Sequence, residues 1–147
     1  MESVLNREAK PSKHALAVFD RIRRMGWILA GHTHLSDQIL LGALEHDPAA
    51  ATGGPSDDPF ENLFAWAFQS LDASCRDDGP IRLLTPSTAR AELINRLHGL
   101  PYELRVATLL LIVEELSLER GAQISGRPAF SLASAAAVAT QRLDSCC

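Results

Sequence analysis

The stretch 100–143, LPYELRVATLLLIVEELSLERGAQISGRPAFSLASAAAVATQRL, carries three successive helical patterns. Pro101 suits the first turn of a helix, where its missing N–H is not needed, and Leu104, Ala107, Leu110, Leu111 and Glu114 follow at helical spacing. Leu104, Ala107 and Leu111 give this helix a buried face. Leu109, Ile112 and Val113 extend its apolar surface almost around the cylinder, as expected of a helix at the centre of its domain. Ser117 can cap a second helix reaching about Gln123, and Gly126 with Pro128 punctuates it. Ser131 can cap a third, over 132–143. Two short helices about a Gly/Pro turn, packed on an apolar helix, describe a helix-turn-helix. The alternative is an ordinary core helix of some other all-helical protein.

Leu100, Pro101 and Arg105 form an LPxxxR opening, and Leu116, Ser117, Ala122, Ile124, Gly126, Pro128, Ser134, Ala139 and Leu143 follow it without a gap. In this register the stretch resembles region 4 of bacterial sigma factors of the extracytoplasmic-function type, with Ser131 where a Thr is usual. The resemblance implies that the last helix stands where a DNA recognition helix would. Its residues depart from that role. Phosphate contact needs Lys or Arg and base readout needs hydrogen-bonding side chains, but Ala133, Ala135, Ala137 and Val138 offer neither. Across 100–147 there are four Arg and no Lys against five acidic residues, a poor footprint for binding a duplex.

The whole chain of 147 residues has a net charge of −4 and 22% charged residues, so its bulk electrostatics favour neither nucleic acid nor an acidic membrane surface. No leader pattern and no apolar run of membrane length is present, and a cytoplasmic location is expected. Cys75, Cys146 and Cys147 make an odd count with no disulfide or metal spacing. They read as reduced thiols.

Upstream, residues 1–10 lack periodicity. From Ser12, Ala15, Leu16, Phe19, Ile22 and Trp27 predict a long amphipathic helix, with Arg21, Arg23 and Arg24 as a phosphate patch or, more commonly, an ion-pairing face. Ser36 stands where a cap would, ahead of Ile39, Leu40, Ala43 and Leu44. The segment 48–58, PAAATGGPSDD, reads as a loop. Asp58-Pro59-Phe60-Glu61 then combines a cap acid, a first-turn proline and a Glu placed to reach back. Phe60, Leu63, Phe64, Ala67, Phe68 and Leu71 line one face of the helix that follows. RDDGPIRLLTP, residues 76–86, reads as a linker, and a helix from about Pro86 to Leu97 supplies Ala89, Leu93, Ile94 and Leu97 to the C-terminal core. No strand pattern of period two is present.

The N-terminal half resembles sigma region 2 more loosely. A long helix, Gly31, a Leu-rich helix bearing Asp37-Gln38 and the aromatic helix 62–76 follow its order. The aromatic helix lacks the Arg and Asn residues that in sigma factors hold melted promoter DNA. The expected fold is therefore all-α, with a region 2-like domain over 1–76, a linker over 77–86 and a region 4-like helix-turn-helix domain over 87–147.

A sigma-like chain without DNA chemistry is similar to the sigma-factor-like domain of alphaproteobacterial general-stress-response regulators, which resemblance implies sequestration of an anti-sigma factor by protein contact. No phosphoacceptor receiver domain is expected within these 147 residues, which the sigma-like parts already use. Expected contact residues are Phe64, Trp66, Phe68, Leu132, Ala135 and Val138, with core burial as the competing role for Phe64 and Phe68. Trp66 is the stronger interface candidate, because tryptophan is enriched at hot spots. The alternative function is a DNA-binding sigma factor contacting RNA polymerase and promoter. A homodimer through the Ala-rich helix stays open. No catalytic residues, cofactor or metal are expected: His32 and His34, even with Asp37 or His46, lack a second ligand cluster.

Overall fold

The computed structural model describes residues 13–45, 58–76 and 95–144. Every regular element among them is helical. All but Asp58 of the loop read over 48–58, the 77–86 linker, most of the helix expected from Pro86, and the C-terminal cysteines lie outside these residues.

Helix α1, Lys13–Ala30, buries Val18, Ile22, Met25 and Leu29 at alternating spacings of four and three, with Ile28 beside them. This face is offset from the one the sequence suggested: Leu16 is exposed and Phe19 only half-buried. The helix stops at Gly31, whose φ of 87° lies in the left-handed region that glycine enters without penalty. Helix α2, His34–Glu45, returns against α1. It begins two residues before Ser36, so Ser36 is not its cap. The buried Ser36 hydroxyl instead donates to the Ile22 carbonyl at 2.8 Å. Gly26 makes this approach possible, because a Cβ there would sit 1.9 Å from Ser36 Oγ.

Helix α3, Pro59–Cys75, starts as expected, with Asp58 Oδ1 accepting from the Phe60 amide at 2.9 Å and Pro59 in the first turn. It buries Leu63, Phe64, Ala67, Phe68, Leu71 and Cys75 and packs on α1 and α2. The chain resumes in a helical turn, 95–99, before Leu100 and Pro101 open α4, Tyr102–Ala107.

The central apolar helix is not α-helical throughout. From Thr108 to Val113 it widens into a π segment, closed by Glu114 N–H donating to the Leu109 carbonyl at 2.9 Å and Leu116 N–H to the Leu110 carbonyl at 3.0 Å. Val106 and Ala107 at the end of α4 and Thr108, Leu109 and Leu110 at the start of the π segment are buried in succession. Leu104 and Leu111, expected in the core, are half-buried. Glu115 ends the segment at a φ of 53°, a left-handed conformation that costs a residue bearing a Cβ about 1–2 kcal/mol. Glu115→Gly is therefore expected to stabilise the protein by about 0.5–1 kcal/mol net of glycine's own entropy. A thermal melt should register this as a rise of about 2–4 °C in Tm, and an unchanged or lower Tm would show that the turn is not strained.

Helix α5, Leu118–Ser125, has Ser117 Oγ accepting from the Arg120 amide at 3.1 Å and ends on Gly126 at a φ of 70°. Helix α6, Ala129–Asp144, follows at once after Pro128, so Ser131 lies inside it rather than capping it. Residues of both halves of the chain share one apolar cluster: Ile22 and Met25 of α1 and Phe64, Phe68 and Leu71 of α3 join Tyr102, Val106, Leu109, Ile124 and Leu132. Helix α3 rests on α5, and α1 on α4.

Candidate partner-binding surface

Helices α5 and α6 meet about the Gly126–Pro128 turn and lie on the π segment. Leu132 and Ala139 anchor α6 in the core. The opposite side presents Phe130, Ala133, Ser134, Ala137, Val138 and Gln141 to solvent. Phe130 is 75% exposed and Val138 39% exposed. No cation stands on this face before Arg142.

Three of the four arginines of this half are engaged within the fold. Arg105, of the LPxxxR opening, is completely buried. Its Nη1 donates to the carbonyls of Leu100 at 2.8 Å and His98 at 3.4 Å, and its Nη2 to the carbonyl of Leu29 at 3.0 Å. A cation is well placed there, since Leu29 and His98 lie at helix C-termini, where carbonyls lack intrahelical donors. Arg127, in the turn itself, is held by two carboxylates. Its Nη1 and Nη2 reach Asp72 Oδ2 and Oδ1 at 3.1 and 2.9 Å, and its Nε reaches Glu103 Oε2 at 2.6 Å. Arg120 Nη1 donates to Gln123 Oε1 at 3.1 Å. Arg142 is exposed near the end of α6.

Asp72, with its side chain almost wholly buried, is the acceptor at the centre of this group. Tyr102 Oη donates to Oδ1 at 2.8 Å and Arg76 Nη2 to Oδ2 at 2.8 Å. Burial alone would raise the Asp72 pKa, but hydrogen bonds from Arg127 and Tyr102 and the charges of Arg127 and Arg76 outweigh it and hold the pKa below its ordinary value. Burial would likewise favour the neutral form of Arg127, but Asp72 and Glu103 overcome it and raise its pKa. Tyr102 is raised by burial and by donating to Asp72. The whole group is an internal brace between α3, α4 and the turn. Beside it, Glu103, Arg127, Pro128, Ser131, Leu132 and Ala135 line an open cavity of about 300 Å³.

The arginines of α1 are also ion-paired. Arg21 bridges Glu61 at 2.9 Å and Glu114 at 2.6 Å, Arg23 meets Asp37 at 2.9 Å, and Arg24 approaches Glu114 at 3.5 Å. Arg21 also lies over the Phe64 ring, 4.3 Å from its centroid. Burial opposes its charge, but the two carboxylates prevail and raise its pKa.

Set against family models, curated proteins and solved structures, the chain matches none of them.

The expected contact residues do not form one surface. Phe64 and Phe68 have no accessible area and Leu132 is 2% exposed, so all three are core residues and a partner could reach them only by opening the fold. Trp66 and Ala135 are half-buried against the core. Val138 alone of the six is exposed. Phe130, the most exposed large apolar side chain among the described residues, precedes the helix start that Ser131 suggests in the sequence; Pro128, a natural helix-start signal, marks the true boundary.

Among the described residues, no group of His, Cys, Asp or Glu is placed to hold a metal ion. The His32 and His34 rings lie 6.3 Å apart, and His34 Nε2 meets Gln38 at 3.3 Å. No described helix is long and apolar enough to cross a membrane.

Proposed function

We propose that this chain is a sigma-factor-like regulator of transcription that acts by protein contact, offering the outer face of α6 to an anti-sigma factor in place of a promoter. The observation that carries the reading is the exposed outer face of α6, where Phe130, Ala133, Ala137 and Val138 outnumber the hydrogen-bonding Ser134 and Gln141 and no Lys or Arg precedes Arg142. The neutralisation of Arg127 and the burial of Arg105 support it, since each removes a charge that phosphates would need. An exposed aromatic beside small residues suits a helix or groove on a protein partner, with Phe130 as the anchor. Such a decoy works by mass action: it frees the competing sigma factor to the extent that its own concentration and affinity occupy the anti-sigma surface.

Size-exclusion chromatography with light scattering, on the protein alone and mixed with the anti-sigma factor encoded in the same genome, tests the reading. A stable mixed complex is expected, with Phe130→Asp and Val138→Arg weakening it. Loss of the Phe130 anchor should cost about 2 kcal/mol, a fall in affinity of about thirtyfold. A protein that forms no complex, or that shifts promoter DNA in a mobility assay, would overturn the proposal.

A further inference from the structure

We propose that His98 makes the junction between α1 and the C-terminal helices pH-sensitive, its protonation loosening the end of α1 from the 95–99 turn. His98 has no accessible surface. Its Nε2 lies 2.9 Å from the Trp27 carbonyl, and because a carbonyl only accepts, Nε2 carries the proton. The imidazole stands edge-on to the Trp27 ring, with centroids 4.6 Å apart. Nδ1 is buried without a hydrogen-bond partner among the described residues. A neutral ring tolerates this, since the lone pair of Nδ1 merely forgoes an acceptor role. Protonation would place an unsatisfied N–H in an apolar site.

The charged surroundings sharpen the effect. On α4, the guanidinium of Arg105 donates to the backbone carbonyl of His98 itself and opposes a second positive charge there. On α1, Arg23 and Arg24 are engaged with Asp37 and Glu114. His32, in the turn leading to α2, and His34, the first residue of α2, have ring centroids 6.3 Å apart, and Arg96, on the 95–99 turn, is half-buried. Among the described residues, no carboxylate acts on His98 to offset protonation. The C-terminal dipole of α1, through the Trp27 carbonyl, is the favourable influence, but it is already used by the neutral N–H. Burial, joined by Arg105, therefore outweighs that bond and lowers the His98 pKa from its usual value.

The sign follows from this direction. The unfolded chain takes up the proton near the ordinary histidine value of about 6.5, before the folded protein does, so the folded state loses ground as pH falls below it. For one such group the folding equilibrium constant drops by up to about tenfold per pH unit until the folded pKa is reached. The junction concerned is the one at which His98 and Arg105 together receive the last carbonyls of α1.

Chemical denaturation of the full chain at pH 7.5 and pH 5.0, wild type beside His98→Gln, tests the proposal. Glutamine can still donate to the Trp27 carbonyl but does not titrate. The wild type should lose more of its folding constant than the variant does over this interval, by up to about tenfold per pH unit below about pH 6.5, and equal losses would overturn the proposal. A histidine NMR titration of the wild type is the second measurement and needs no variant: the His98 resonance should titrate below pH 6.5, and a midpoint at or above that value would also overturn it. Neither measurement involves a partner, so failure here leaves the proposed binding face untouched.

Discussion

Arg105→Ala is expected to cost about 3–5 kcal/mol, a large part of the about 5–15 kcal/mol by which a domain is usually stable. One guanidinium serves three carbonyls drawn from two places in the chain: Leu29 at the end of α1, and His98 and Leu100 just before α4. Removing it leaves those acceptors buried without this donor, at about 1–3 kcal/mol each where no water enters, and opens a cavity in a site with no solvent access. Part of this is returned, because the folded protein no longer buries a charge. Arg105→Met separates the two contributions, since it fills the space without restoring a donor. Arg105→Lys keeps the charge but not the planar fork that faces both helix ends, and should fall between. Urea titrations followed by circular dichroism give the order wild type, Lys, Met, Ala. Equal stability of wild type and the Met variant would show that the carbonyls find water and that Arg105 acts only by filling space.

This role explains why the LPxxxR opening could be read as a motif but not as a mechanism. Sequence signals that act within a few residues were legible: Asp58 with Pro59, Ser117 over Arg120, and Gly31 and Gly126 at helix ends all work by local side-chain or backbone geometry. Ser36 and Ser131 carry the same local signal as true caps. Ser36 instead turns to the carbonyl of Ile22 across a helix contact that no local pattern announces, and Ser131 follows a helix start already set by Pro128. The π segment was illegible for another reason. LLLIV, at 109–113, is apolar at every position and so has no period from which a change in helix pitch could be read.

The last helix was legible in outline, as an Ala-rich helix poor in cations, but which of its residues face solvent was not. Counting arginines over 100–147 gave four charges. Their fate depended on partners as distant as Asp72, 55 residues from Arg127, and Leu29, 76 residues from Arg105. Aromatic side chains gave the opposite error. Phe64 and Phe68 recur at helical spacing because they build the core, whereas Phe130 lies on the side of its helix away from the buried Leu132 and Ala139, where an exposed apolar side chain is the pattern expected of a contact residue.

Asp72→Ala should be the second large loss, about 3 kcal/mol at neutral pH. It strips Tyr102 Oη of its acceptor and leaves Arg127 to Glu103, a more exposed carboxylate that limits the damage. Asp72→Asn keeps the shape and one acceptor while removing the charge, so it should recover part of the loss. The two variants also differ from wild type in their pH dependence. With its pKa held below the ordinary carboxylate value by Arg127, Tyr102 and Arg76, Asp72 stabilises the fold above about pH 4, and this contribution disappears as pH falls through its folded pKa. The stability gap between wild type and Asp72→Asn, measured by denaturant titration from pH 7 to pH 3, should therefore narrow only at the acid end. A gap that stays constant throughout would mean that the brace works through shape and hydrogen bonding alone. The acid loss expected from His98 begins higher, below about pH 6.5, so the same titration separates the two: His98→Gln should flatten its upper limb and Asp72→Asn its lower one.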